Sequence, residues 1–313
     1  MSNLALPTVV IAGVGKAGTT SLFWYLSQHP DICPSDVKEI RYFTALSEGD
    51  GKLPAVEGYA AHFDRCAGER HRLEASPQYF HGGEPVATAM HELMPYAHVI
   101  VLLRDPVDRL WSTFRFMRTR LADLPPDMGF GAYVEACMAV RERREPLSRE
   151  NTLYWTIQGG CYDDHLDPWL DAFGDRFRAV FFERMTADPA STTHDLCEWL
   201  GIDAGQAASI TYSVENKTVP VRSAALQRLA LAANRESIFG RRRRLKEPLR
   251  KVYYALNRRA EGEHMPPETR AALDEVFAPG NDALARRLVR LGYTDLPGWL
   301  AAHVPDEPEE AAR

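Results

Sequence analysis

Residues 9–26 read VVIAGVGKAGTTSLFWYL: an apolar β-branched run, a glycine-rich break at Gly13-Val14-Gly15-Lys16-Ala17-Gly18, then Thr19, Thr20 and Ser21 opening a second apolar stretch. The first run predicts a short buried strand, and the hydroxyl residues predict a helix N-terminus. Strand, tight glycine turn and helix start belong to an α/β unit with its turn at the carboxyl end of a strand. Glycines let backbone N–H groups approach an anion closely, and the helix dipole favours negative charge there. Lys16 adds a full positive charge inside the turn. The stretch predicts a site for something phosphorylated.

Two familiar loops fit it imperfectly. Gly13, Gly15 and Gly18 satisfy G-x-G-x-x-G, but a dinucleotide site also wants a second strand ending in an acid about 20 positions on. The chain there reads HPDICPSDVKEIRYF, where Pro30 and Pro34 argue for irregular structure, although Glu39 falls at that distance. A nucleoside-triphosphate loop places its lysine after the last glycine, whereas Lys16 precedes Gly18.

A chain of 313 residues is long enough for a sizeable core, and 45% hydrophobic with 26% charged residues is ordinary for a globular protein. The net charge of −6 argues against a general nucleic-acid binder. Cys33, Cys66, Cys137, Cys161 and Cys197 lie far apart with no C-x-x-C pair. That spacing predicts reduced thiols, with no disulfide frame or zinc site, and with it a cytoplasmic protein. Neither a signal pattern at MSNLALP nor a membrane-spanning apolar window is expected.

Along the chain, residues 31–43 read as a loop and 45–70 as a polar excursion with a short helix near 59–63. Residues 72–77 read as a brief strand and 85–94 as a helix. HVIVLL (His98 to Leu103) has the continuous apolar character of a buried parallel strand, followed by a helix from about Val107. Helices are expected over 130–144, 160–173, 189–200 and 267–291, with a further strand at 177–182. This alternation predicts an α/β fold, a three-layer α/β/α arrangement around a central parallel sheet, as one domain with helical excursions. Its core spans about 7–223, followed by a basic helical extension to 304 and a frayed tail at 305–313.

The second constellation is RDPVDRLWS, Arg104 to Ser112. Arg104 leaves the carboxyl end of its strand as Lys16 leaves the first, so neighbouring strands would aim both cations into one crevice. An arginine fork suits a terminal phosphate, and Ser112 adds a hydroxyl about two helical turns on. Surface pairing of Arg104 and Arg109 with Asp105 and Asp108 is the structural alternative. The arginine within VIVLLRD disfavours a magnesium-binding strand end.

Together, KAGTTSL and RDPVDRLWS resemble the two nucleotide-binding motifs of sulfotransferases that use 3′-phosphoadenosine 5′-phosphosulfate (PAPS) and release the 3′,5′-bisphosphate PAP. The resemblance implies a P-loop-like fold without a metal. It places Lys16, Ala17, Gly18, Thr19, Thr20 and Ser21 around the 5′ end, and Arg104 with Ser112 on the 3′-phosphate. KEIRYF (Lys38 to Phe43), EASPQYF (Glu74 to Phe80), GCYDDHLDPWLDAF and FFERMTADP resemble further segments of the carbohydrate, heparan-sulfate-type branch. NKTVPVRS resembles a loop of related bacterial enzymes.

By that resemblance Glu39 is the candidate base and Lys16 the group that stabilises the leaving oxygen. Pairing of Glu39 with Lys38 or Arg41 is the alternative, and His62, His81 and His165 are weaker candidates for the base. Tyr162 and Arg222 are further cofactor-side candidates, while Ser76 and Tyr79 either line the acceptor side or shape a turn. Ala75 stands where the heparan-type motif has lysine, which weakens a heparan-like polysaccharide acceptor. The expected acceptor is a hydroxyl on a carbohydrate, glycolipid or natural product, and a small-molecule kinase is the competing reading. The basic run over 241–259 reads as a solvated helix face, an arm for anionic ligands, or a peripheral membrane contact. Oligomeric state has no signature in the sequence.

Overall fold

The computed structural model describes residues 4–47, 51–118, 123–125, 127–213 and 264–304. Five strands, β1 (Val9–Gly13), β2 (Ile32–Pro34), β3 (His71–Ala75), β4 (His98–Leu103) and β5 (Phe177–Phe181), pair in parallel throughout. Their order is β2-β3-β1-β4-β5, with helices flanking the sheet in a P-loop-like α/β fold. β1 is buried along its whole length and β4 along all but its first residue, because a parallel sheet covered on both faces wants apolar side chains throughout. The chain runs out to β3 on one side of β1 and enters β4 on the other. That reversal opens a crevice at the carboxyl end of β1, where ligands of open α/β sheets sit.

Helices α1 (Thr19–Leu26), α2 (Thr44–Ser47), α3 (Val56–Ala60), α4 (Gly83–Leu93), α5 (Pro106–Phe116) and α6 (Phe130–Glu142) precede β5. α7 (Asp167–Phe173) lies just before that strand, and after it come α8 (Phe182–Ala187), α9 (Pro189–Leu200), α10 (Pro267–Arg290) and α11 (Gly298–Ala301). Local chemistry sets the ends of the best-defined helices. The Asp105 side chain accepts from the Val107 and Asp108 amides at 2.9 and 3.1 Å, capping α5 ahead of Pro106. Asp188 caps α9 through the Ser191 amide at 2.9 Å, and Gly201 at φ 68° ends it. α10 docks on the start of α5 through Arg270, which forms ion pairs with both Asp105 and Asp108.

Three sequence expectations are corrected. Residues 32–34 form an edge strand within the expected loop, since an edge position tolerates Pro34 with no inward N–H to donate. The helix expected over 160–173 is broken into short 3-10 turns at Gln158–Gly160 and Tyr162–His165, and only Asp167–Phe173 is α-helical. Pro168 sets that start, because it has no N–H to continue a helix from the preceding turn.

The third correction concerns cysteine. Cys33 and Cys66 form a disulfide, their Cα atoms 5.7 Å apart, while Cys137, Cys161 and Cys197 are free and buried. Spacing alone hid the pair, because the excursion folds residue 66 back onto the end of β2. The bridge removes the cysteine argument for a cytoplasmic location. Among the described residues no helix is long and apolar enough to cross a membrane. The bridge closes a loop across a sequence separation of 33 residues. Cys33→Ala is therefore expected to lower the unfolding free energy by about 2–4 kcal/mol, read by urea denaturation under non-reducing conditions. Equal midpoints for variant and wild type would show that the bridge contributes nothing.

Candidate active site

Lys16 follows β1 and Arg104 follows β4, and the two strands are paired neighbours. Their ends meet: Arg104 Nη1 donates to the Lys16 carbonyl at 3.0 Å. Each cation also lies against an aromatic face. Lys16 Nζ is 4.1 Å from the centre of the Phe116 ring, and the Arg104 guanidinium is 4.4 Å from that of Phe182. Burial lowers the proton affinity of Arg104, and Asp108 and Glu183 oppose that effect. Its Nε is buried and has no hydrogen-bond partner among the described residues.

The turn between β1 and α1 is tightly specified. Lys16 and Gly18 both adopt left-handed backbone, at φ 69° and 87°. Left-handed backbone favours glycine at 18, and a Cβ there would also lie 2.6 Å from Met185 Cε and 3.0 Å from Phe182 Cδ2 of α8. Ala17 is buried beneath the turn. Thr19, Thr20 and Ser21 form the first turn of α1, whose amides have no intrahelical acceptors and carry the positive end of the helix dipole. Ser112 is half-buried on α5, one helix turn before Phe116.

Tyr162 is buried, with its hydroxyl donating to the Arg104 carbonyl at 2.8 Å, and burial pushes that phenol up to about 12. Glu183 accepts the Asp105 amide at 2.9 Å. These two residues hold the main chain on either side of the Arg104–Asp105 peptide. Arg109 does not follow the expected surface pairing: it is buried and donates to the Thr156 carbonyl at 2.6 Å. Arg104 likewise turns inward to Lys16, and Asp105 and Asp108 pair instead with Arg270.

Glu39 sits where its segment runs beside the end of β3, its amide donating to the Ala75 carbonyl at 3.0 Å. Both carboxylate oxygens are engaged, Oε1 by Lys38 Nζ at 2.9 Å and Oε2 by Arg41 Nη2 at 2.8 Å. Burial alone would raise this carboxyl, but the two cations outweigh it and hold the group below the ordinary carboxylate range. Ser76 and Tyr79 are buried and bond to Glu74 rather than opening onto a cleft.

The histidines are engaged elsewhere. His81 and His165 pack against each other and against Trp155, and their Nε2 atoms bond to the Gly159 and Gln158 carbonyls. Burial pushes both down, His81 the further, so they are neutral at physiological pH. His62 pairs with Asp36 at the surface. Arg222, the loop around it and the basic run over 241–259 lie outside the described residues. Sequence reasoning missed Phe116 and Phe182, because aromatic residues at such positions read as ordinary core.

Residues 6–223 match the family model described as a sulfotransferase domain. A membrane-associated sulfotransferase of Dictyostelium discoideum is 29% identical over 210 residues, 63% of this chain and 41% of that protein. A bifunctional heparan sulfate N-deacetylase/N-sulfotransferase of Caenorhabditis elegans is 24% identical over 306 residues, 96% of this chain and 32% of the relative. The human heparan sulfate glucosamine 3-O-sulfotransferase 6 is 28% identical over 197 residues, 63% of this chain and 52% of the relative. The chain thus spans about a third to a half of these relatives. Among solved structures, a sulfotransferase from Alicyclobacillus acidocaldarius superposes with a TM-score of 0.66 at 24% identity, over 95% of this chain and 99% of that one. With a family match over residues 6–223, most of its length, the chain belongs to the sulfotransferase family.

Proposed function

We propose that the protein transfers the sulfuryl group of PAPS to a hydroxyl of a carbohydrate, glycolipid or natural-product acceptor, without a metal. The observation that supports this reading is the contact between Arg104 and the Lys16 carbonyl, which joins the two motifs where the neighbouring strands β1 and β4 end. A doubly phosphorylated adenosine needs two separate anion sites within one nucleotide's reach. The turn around Gly18 and the first turn of α1 (Thr19, Thr20, Ser21) suit the 5′ end. The buried Nε of Arg104, lacking a partner among the described residues, suits the 3′-phosphate together with Ser112. Relatives named for heparan sulfate support a carbohydrate acceptor.

Sulfuryl transfer, like phosphoryl transfer, needs positioning and charge stabilisation more than covalent help. Glu39 takes the proton of the acceptor hydroxyl as its oxygen forms the new bond to sulfur. Lys16 meets the negative charge that grows on the phosphate oxygen as the old sulfur–oxygen bond breaks. Tyr162 and Glu183 keep the Arg104 main chain in place throughout.

Titration calorimetry of the full chain tests the donor. PAP without metal is expected to bind more tightly than ATP with Mg²⁺. Arg104→Ala should weaken PAP by about 10- to 100-fold, the worth of a charge-assisted contact of roughly 1.5–3 kcal/mol. A preference for ATP–Mg²⁺ overturns the reading in favour of a kinase. A radiolabelled-PAPS screen against phenols, sugars and glycolipids then finds the acceptor.

A further inference from the structure

Glu74 is fully buried in β3 beside Val10 of the central strand, and no described cation pairs with it. It is instead surrounded by hydroxyls. Ser76 Oγ donates to Oε1 at 2.6 Å, Tyr79 Oη donates to the same oxygen at 2.9 Å, and Tyr59 Oη donates to Oε2. Burial raises the pKa of this carboxyl and the three donated hydrogens oppose that; because all three hydroxyls donate to it, the carboxyl fixes the direction of each. With their protons committed to Glu74, Ser76 and Tyr79 turn their lone pairs the other way. There they receive two amides of the neighbouring segment, Arg41 N–H onto Ser76 Oγ at 3.0 Å and Phe43 N–H onto Tyr79 Oη at 3.4 Å.

That segment carries Glu39, and it needs holding. Glu39 and Arg41 are non-glycine residues in left-handed backbone, at φ 67° and 60°. Such conformations persist only where the surroundings over-determine them. The main-chain bond from the Glu39 amide to the Ala75 carbonyl anchors one side of the turn, and the two hydroxyls anchor the other.

We propose that Glu74 is a positioning residue for Glu39, orienting the Ser76 and Tyr79 hydroxyls so that they grip the backbone of residues 41 and 43. The catalytic part of this inference rests on Glu39 acting as the base. The mechanical part does not. Glu74→Gln keeps the size of the side chain but replaces one accepting oxygen with an N–H₂ donor. Turned with its N–H₂ toward Ser76 and Tyr79, the amide reverses those hydroxyls against the two backbone N–H groups; turned toward Tyr59, it leaves a single neutral amide oxygen to hold both hydroxyls, so the grip weakens either way without opening a cavity.

Two readouts on the full chain separate the parts. Hydrogen exchange followed by mass spectrometry is expected to show the peptide over residues 38–43 exchanging at least tenfold faster in Glu74→Gln. Peptides from β1 and β4 should be unchanged, and PAP affinity should stay within twofold. Ser76→Ala should reproduce this loosening and Ser76→Thr, which keeps the hydroxyl, should restore it, so a failure of Glu74→Gln to fold leaves the test intact. Exchange over 38–43 within twofold of wild type in Ser76→Ala and in any folded Glu74→Gln overturns the proposal. The second readout is acceptor-free turnover of PAPS to PAP, with water as the acceptor. Glu74→Gln should lower kcat tenfold or more with little change in KM for PAPS, and should add nothing in a Glu39→Gln background. Additive losses in the double variant overturn positioning through Glu39. A silent Glu39→Gln beside faster exchange in Glu74→Gln removes the base assignment and upholds the grip.

Discussion

Lys16→Ala is expected to lower turnover of PAPS on any confirmed acceptor by about 10³-fold, while PAP binding weakens far less. The magnitude is that of removing one preorganised charge from a developing oxyanion, roughly 3–4 kcal/mol of barrier. The asymmetry follows from how the turn is built. Arg104 grips residue 16 through its backbone carbonyl, and the left-handed turn at Gly18 packs closely against Met185 and Phe182. None of those contacts involves the ammonium, so the variant keeps these supports of the anion cradle while it loses the charge and its contact with Phe116. Lys16→Arg is a sharper control. The ammonium rests 4.1 Å from the centre of the Phe116 ring, and a planar fork set there carries its charge to a different point. Single-turnover measurements with saturating PAPS isolate the chemical step, and a Lys16→Ala rate within a few-fold of wild type would remove the assigned role.

The central strands were legible because their environment demands one kind of residue. HVIVLL is continuously apolar, and in the structure β4 is covered on both faces. β1 is equally plain, and the two motifs that follow these strands meet, Arg104 bonding to the Lys16 carbonyl, because the strands are neighbours. β2 was not legible. Three residues ending in Pro34 at a sheet edge carry no periodicity, and their pairing with β3 is a tertiary fact. The Cys33–Cys66 bridge was hidden for the same reason, since the excursion that joins its ends has no pattern specifying its path.

The site was legible in its charges and opaque in its supports. Lys16, Arg104 and Glu39 stand in motifs, and their residue types announce anion binding and proton transfer. Phe116 and Phe182 do not, because an aromatic side chain under a cation looks like core until the cation is placed over it. Left-handed backbone at Glu39 and Arg41 is likewise invisible, since neither residue type favours it. Glu74 is the most instructive case. Read as strand alternation, a glutamate between Leu73 and Ala75 belongs on a wet face. In a parallel sheet whose faces are both covered that face is dry, and three hydroxyls gather to satisfy it.

Glu39→Gln is expected to lower kcat by about 10³-fold with the KM for PAPS nearly unchanged, within the usual range for a lost general base. The pH profile identifies the group more decisively than the loss of rate. Lys38 and Arg41 hold the Glu39 carboxyl below the ordinary value, so in the free protein it is ionised throughout the neutral range. A base must be deprotonated to act. Hence kcat/KM should stay flat as pH falls from about 7 to about 5, and decline only below the ordinary carboxylate value of about 4.3. A histidine base would give a decline centred near pH 6–7, and His81 and His165, both buried and bonded to main-chain carbonyls, are poorly placed to produce one. Arg41→Ala removes one of the two cations and should move the acid limb upward, toward the ordinary value, because the charged form loses a partner. The stability contribution of the pair runs in the same direction: present above the unfolded-state value, and lost as pH falls through the lower folded-state one. An acid limb near pH 6.5 that survives in Glu39→Gln would transfer the proton-accepting role to another residue.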